Sequence, residues 1–85
     1  MDEKNIISTH TIPNLASPVI PIGLVDTGVF GSTDEVLNDA VRIGNEMGAD
    51  WIVGFNFQSE PTFSRADRRW SGFGTAVKLR PRRSG

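Results

Sequence analysis

Few side chains in this 85-residue chain are of the kinds that do chemistry. His10 is the only histidine and there is no cysteine. Disulfides and thiolate metal sites are therefore excluded, and a zinc site on one imidazole would need several carboxylate or water partners. Nucleophilic catalysis needs a Ser or Cys with a base in reach. His10 is the one candidate base of its kind, it lies in a polar segment near Pro13, and no G-x-S-x-G occurs. It reads as a surface or edge residue. Two carboxylates stand apart from the acids of the helix described below. Asp50 joins a helix end to a strand, where a carboxylate accepts backbone N–H bonds, and Asp26 is placed to cap the turn "DTG" for the same reason. Neither has a second acid at the spacing of a catalytic dyad.

Two further stretches invite a ligand. "GVFGST" precedes a helix start, where glycines can present N–H groups to an anion. The phosphate-loop pattern G-x-x-x-x-G-K-[ST] needs a lysine that is absent here and a wider spacing than Gly28 to Gly31. This stretch reads as a cap rather than a cradle. "RADRRWSGF" and "KLRPRRSG" set Arg65, Arg68, Arg69, Lys78, Arg80, Arg82 and Arg83 around Trp70 and Phe73. Arginines hold phosphates and an exposed aromatic stacks on a base. No recognised nucleic-acid motif accompanies them, and the net charge of the whole chain is −1.

The charges are nonetheless segregated. Residues 1–64 carry two basic residues against nine acids, and residues 65–85 carry seven against one. A basic end on an acidic body has three readings: it meets nucleic acid or another acidic partner, it meets the acidic side of a neighbouring copy, or it is solvated. A chain this short forms one domain, 1–85, and buries only about 60–65% of its unfolded surface. Small scaffolds add disulfides, a metal or oligomerisation, and only the last is left open by this composition. The start "MDEKNIIS" lacks the basic and apolar runs of a secretory signal, and no apolar segment approaches a membrane span. The expectation is a cytoplasmic protein, with no membrane contact.

The elements that must position these residues follow from periodicity. "GSTDEVLNDAVRIGNEMGAD" carries helix signals at both ends. Ser32 and Glu35 fit the S-x-x-E capping box, and Gly48 sits where a left-handed residue ends a helix. Val36, Leu37, Ala40, Val41, Ile43, Gly44 and Met47 share one stripe, which predicts a helix over Thr33–Met47. Arg42 and Glu46, four apart, pair weakly. Strands are expected at Val19–Val25, with Pro21 marking an edge or a bulge, at "DWIVGFNFQ" and at "WSGFGTAVKLR". "NIIST" is a candidate short strand before them. "TIPNLASPVIP" reads as an irregular connection, "SEPTFSRADRR" as a long hairpin loop, and residues 80–85 as a flexible basic tail.

Alternation within the strands divides the sheet. Trp51, Val53, Phe55, Phe57, Phe73, Val77, Leu79, Ile20, Ile22 and Leu24 fall on a bulky face. Gly23, Val25, Ile52, Gly54, Asn56, Gly74 and Ala76 fall on a small or polar one. One helix covers one face, and the bulky face is expected to need it. The small face is then open to a second subunit, unless its glycines serve only as bulges.

At this point the residues resemble a known family. "MGADWIVGFNFQ" and "GFGTAVKL" are similar to the C-terminal half of the YbjQ-like family, small bacterial proteins labelled as heavy-metal-binding domains. The matching positions are Gly48, Ala49, Asp50, Val53, Gly54, Gly74, Thr75, Ala76, Val77 and Lys78, with Trp51 in place of a smaller residue. "PIGLVDTGVFG" is similar to an earlier strand of that family. The resemblance implies an α+β subunit, one helix on a three- to four-stranded mainly antiparallel sheet in the order (β)βαββ, assembling as a ring that is commonly pentameric. It supplies no catalytic residues, and the metal label has no ligand set to rest on here. The expected function is a non-enzymatic homo-oligomeric assembly or partner-binding module without a cofactor or bound metal. A small-ligand or metal-binding protein with its site between subunits, and a nucleic-acid or acidic-partner binder acting through Arg65–Arg83, are the alternatives.

Overall fold

Between Ser32 and Gly48 the chain has every signal a helix needs, and the structure, a computed structural model describing residues 1–12, 18–60 and 68–80, places α1 at Thr33–Met47. The Ser32 hydroxyl accepts the Glu35 N–H at 3.3 Å, which is one half of the expected reciprocal cap. At the other end Gly48 is left-handed, with φ 75°. Its N–H donates to the Asn45 carbonyl and the Ala49 N–H to the Gly44 carbonyl. That pair of bonds is the Schellman stop, which a residue with a Cβ disfavours.

The strands are β1 (Val19–Asp26), β2 (Trp51–Glu60) and β3 (Arg69–Leu79). They form one antiparallel sheet in the order β1-β3-β2. With α1 between β1 and β2, this is the expected α+β arrangement of one helix on three strands. The "NIIST" strand is replaced by a 3-10 turn at Glu3–Asn5 and a single parallel bridge from Ile6 to Ile52. Ile7 and Thr9 nonetheless bond the outer edge of β2: the Ile7 N–H donates to the Ile52 carbonyl, and the Phe55 and Gly54 N–H groups donate to the Ile7 and Thr9 carbonyls. The outer edge of β1 has no such cover among the described residues. Glu60 still pairs with Arg69, so the strands run well into the expected hairpin. The loop itself, the middle of the Thr11–Pro21 connection and the tail after Arg80 lie outside the described residues.

Two bulges rearrange the faces. In β1 the register slips between Pro21 and Gly23, in agreement with the reading of Pro21 as an edge or bulge. In β2 it slips between Val53 and Asn56, where Gly54 has φ 61°. A left-handed glycine is what a bulge of this type requires. The extra residue turns Phe55 to the opposite face from Val53. Phe55 therefore joins the helix-side cluster of Val25, Val36, Ala40, Ala49, Ile52 and Ala76, whereas Val53 packs with Ile12 and Val77 on the other side.

The helix thus covers the small face, and the expected assignment is inverted. Val25, Ile52 and Ala76 are core residues of the protomer, each at most 1% exposed. Gly23 lies under Met47, whose Cε stands 2.5 Å from where a Cβ would be. Gly74 faces Ile52 and Gly54 is covered by the His10 ring. Of the seven residues expected at a subunit interface, only Asn56 is exposed. The physical reason lies in α1, whose Val36, Leu37, Ile43 and Met47 supply the bulk that the sheet beneath lacks. Large side chains on one layer fit small ones on the next.

Candidate functional site

The residues left uncovered are those expected inside. On the face away from α1, Leu24 is 81% exposed and Phe73 48% exposed. Register places them together: Leu24 pairs with Thr75, and Phe73 lies between Asp26 and Asn56 on its two neighbouring strands. Ile20 and Ile22 are also exposed on the same β1 edge strand. The other end of this face is closed by the N-terminal segment, where Ile7 and Ile12 pack with Val53, Val77, Val19 and Trp51. Sequence reasoning placed Leu24 and Phe73 under the helix because it weighed bulk without the helix's own contribution. The position of β1 at the sheet edge, which exposes Ile20 and Ile22, has no signature beyond Pro21.

Among the described residues the basic side chains of the C-terminal region fall into two groups, one at each end of β3. Arg68 and Arg69 are exposed at the start of β3, and Lys78 and Arg80 at its end. Arg69 and Lys78 are nine residue steps apart along the strand, about 30 Å. Trp70 is no stacking platform: it packs against the helix-side cluster and exchanges backbone bonds with Phe30 in both directions. Arg65, Arg82 and Arg83 lie outside the described residues.

The two singled-out carboxylates have different fates. The Asp50 Oδ2 accepts the Leu79 N–H at 2.8 Å, while the Asp50 N–H donates to the Val77 carbonyl. It locks the helix-to-strand corner onto β3, a structural role of the kind read from its position. Asp26 is exposed, and the turn that follows is held by Thr27 instead. The Thr27 hydroxyl donates to the Gly28 carbonyl and accepts the Gly72 N–H at 2.8 Å. A third acid, Asp39 on α1, also holds a turn. Its Oδ2 accepts the Gly28 N–H at 3.0 Å and its Oδ1 binds the Arg42 guanidinium at 2.7 Å. Burial pushes the Asp39 carboxyl up, but the Gly28 and Arg42 hydrogen bonds and the Arg42 charge together hold it below the ordinary 3.8. Arg42 also reaches Glu46 at 3.0 Å, the pairing expected from their spacing.

His10 is exposed, with its ring against Gly54. Among the described residues no three of His, Asp and Glu come together as a metal site would require. Open depressions are found among the described residues. One, about 350 Å³, is lined by Phe30, Glu35, Asn38, Asp39 and Arg42. The second, about 430 Å³, lies between the N-terminal turn, α1 and β2. Among the described residues no helix is long and apolar enough to cross a membrane.

No family model and no curated protein matches the chain. Among solved structures it is similar to a protein of unknown function of the DUF74 family from Pediococcus pentosaceus ATCC 25745. The TM-score is 0.68 at 13% identity, over 88% of this chain and 96% of the other. DUF74 is the YbjQ-like family. At this identity the likeness shows the fold, an α+β unit of the kind the C-terminal motifs resemble.

Proposed function

We propose that the chain is a non-enzymatic module that assembles with copies of itself, through the sheet face opposite α1 and the adjoining β1 edge. The observation that carries this reading is the exposure of Leu24 and Phe73, diagonal neighbours across β1 and β3 on the face that α1 does not cover. Burying one such side chain stabilises by about 1.5–3 kcal/mol. The edge strand β1 also bears exposed Ile20 and Ile22, while Pro21 and the bulge after it limit backbone pairing there, so the contact made by this edge is through side chains. The opposite edge is occupied by the chain's own Ile6–Thr9 segment. An association that uses a different patch on each partner closes into a ring when its rotation permits. A pentameric ring is the arrangement that the family resemblance suggests. The segregation of acidic and basic residues along the chain supports head-to-tail contacts of the same kind.

Light scattering on the purified protein tests this. A mass several times 9.3 kDa is expected, falling to the single-chain value in the doubly substituted Leu24→Asp, Phe73→Asp variant. A wild-type mass of one chain at micromolar concentration, or an unchanged mass in a folded double variant, would overturn the proposal.

A further inference from the structure

The larger of the two depressions lies on the helix side of the sheet, away from the assembly face. Its walls come from three separate parts of the chain: Ile6 and Ile7 after the N-terminal turn, Leu37 on α1, and Phe55 and Phe57 on β2. The two Phe rings meet edge to face, with centroids 5.3 Å apart and planes at 89°. Phe55 is buried, whereas Phe57 is 42% exposed and lines the cleft. The exposed Glu3 and Lys4 also line it. Both ion pairs among the described residues belong to Arg42, so the Lys4 ammonium has no carboxylate partner there.

We infer that this cleft binds a small aromatic molecule carrying one anionic group, its ring against Phe57 and Leu37 and its charge against Lys4. The volume falls within the range of about 300–1,000 Å³ typical of small-molecule sites. The apolar walls with few polar groups are also what such sites present. An aromatic ring completes the edge-to-face packing that Phe57 begins with Phe55. Lys4 supplies the positive charge, and Glu3 beside it opposes an anion. These two residues therefore act in opposite directions on the same ligand, and this makes the assignment specific enough to test. All the walls belong to one protomer, and neither Leu24 nor Phe73 contributes, so binding is independent of assembly.

The probe is 1-anilinonaphthalene-8-sulfonate, an aromatic anion whose fluorescence rises in apolar surroundings, titrated into the full chain. Saturable binding is expected. Phe57→Ser should weaken it about tenfold, Lys4→Gln about threefold to fivefold, and Glu3→Gln should strengthen it by a similar factor. Phe73→Ser should leave it unchanged. Amide chemical-shift mapping on the wild-type chain keeps the test independent of variant folding, with shifts expected at Lys4, Leu37 and Phe57. Shifts centred on Leu24 and Phe73 would show that the dye reads the assembly face and would overturn the site. So would loss of binding in Phe73→Ser, absence of saturable binding, or equal affinity in Lys4→Gln and Glu3→Gln. The Leu24→Asp, Phe73→Asp variant separates the two proposals, since dye binding retained in a single-chain species supports the cleft whatever the fate of the ring.

Discussion

The two faces of the sheet differ in the reverse of what bulk alone suggests. Gly23, Gly72, Gly74 and Ala76 lie beneath α1, whereas Leu24, Phe73, Val77 and Trp51 face away from it. A Cβ at Gly72 would run into the Phe55 ring and stand 2.8 Å from Val36 Cγ1, so there is no room for a larger residue. The helix brings its own volume and needs a floor without side chains to settle on. The bulky face then depends on whatever else is at hand. The Ile7–Ile12 segment covers Val53 and Val77, and the rest stays in solvent. A face rich in large apolar residues is therefore not by itself the face a helix covers. Complementary volume across the layers decides it.

The contrast is broken most severely by emptying the covered face. Ile52 is wholly buried, and Ile52→Ala is expected to cost about 2–5 kcal/mol through lost transfer energy and the cavity left behind. Leu24→Ala on the open face should change protomer stability by no more than about 0.5 kcal/mol, acting instead on the mass of the assembly. Urea denaturation at concentrations where the chain is dissociated compares the two. Equal losses would mean that both faces are covered within one chain.

Gly54 is the hinge of the comparison, because it is the residue that sends Phe55 to one face and leaves Val53 on the other. Its left-handed φ costs a residue with a Cβ about 1–2 kcal/mol. A Cβ there also meets the His10 ring. Gly54→Ala should be destabilising by at least that amount, and in a His10→Ala background the backbone part alone should remain. Gly31→Ala is the matched control, since nothing lies within 4 Å of a Cβ there. A neutral Gly54→Ala would show that the bulge relaxes and that the parity switch has another cause.

Much of this fold was legible in the residues. Ser32, the apolar stripe and Gly48 bounded α1 at the positions where it is found, and Pro21 marked a strand that is both an edge and bulged. Asp50 announced its backbone bond by its place between helix and strand. What failed to read through was parity. Alternation predicts faces only while the register is unbroken, and one extra residue at Gly54 reverses every position after it. The glycine itself is visible, but a bulge and a close subunit contact leave the same mark in a sequence. The cleft beside Phe57 was invisible for a related reason. Its walls are contributed from both ends of the first 57 residues and meet only because the Ile6–Thr9 segment pairs with β2.

The smallest expected effect concerns how firmly α1 is tied to the turn after β1, and thus how strictly the helix belongs to one face. Asp39 makes that tie, with the Gly28 N–H on one oxygen and Arg42 on the other. Its carboxyl is held below its ordinary value in the folded chain. The stability it contributes is therefore present above the unfolded carboxylate range near 3.8 and is lost as pH falls through the lower folded value. Asp39→Asn keeps an acceptor for Gly28 but abolishes the charge. The variant should be slightly less stable than wild type at pH 7, and the gap should close toward pH 2. Because Arg42 is exposed, high salt should also narrow the gap at pH 7. A gap that persists unchanged at low pH and in molar salt would assign the tie to the shape of the Gly28 turn rather than to charge. The helix would then be held over the small face by packing alone.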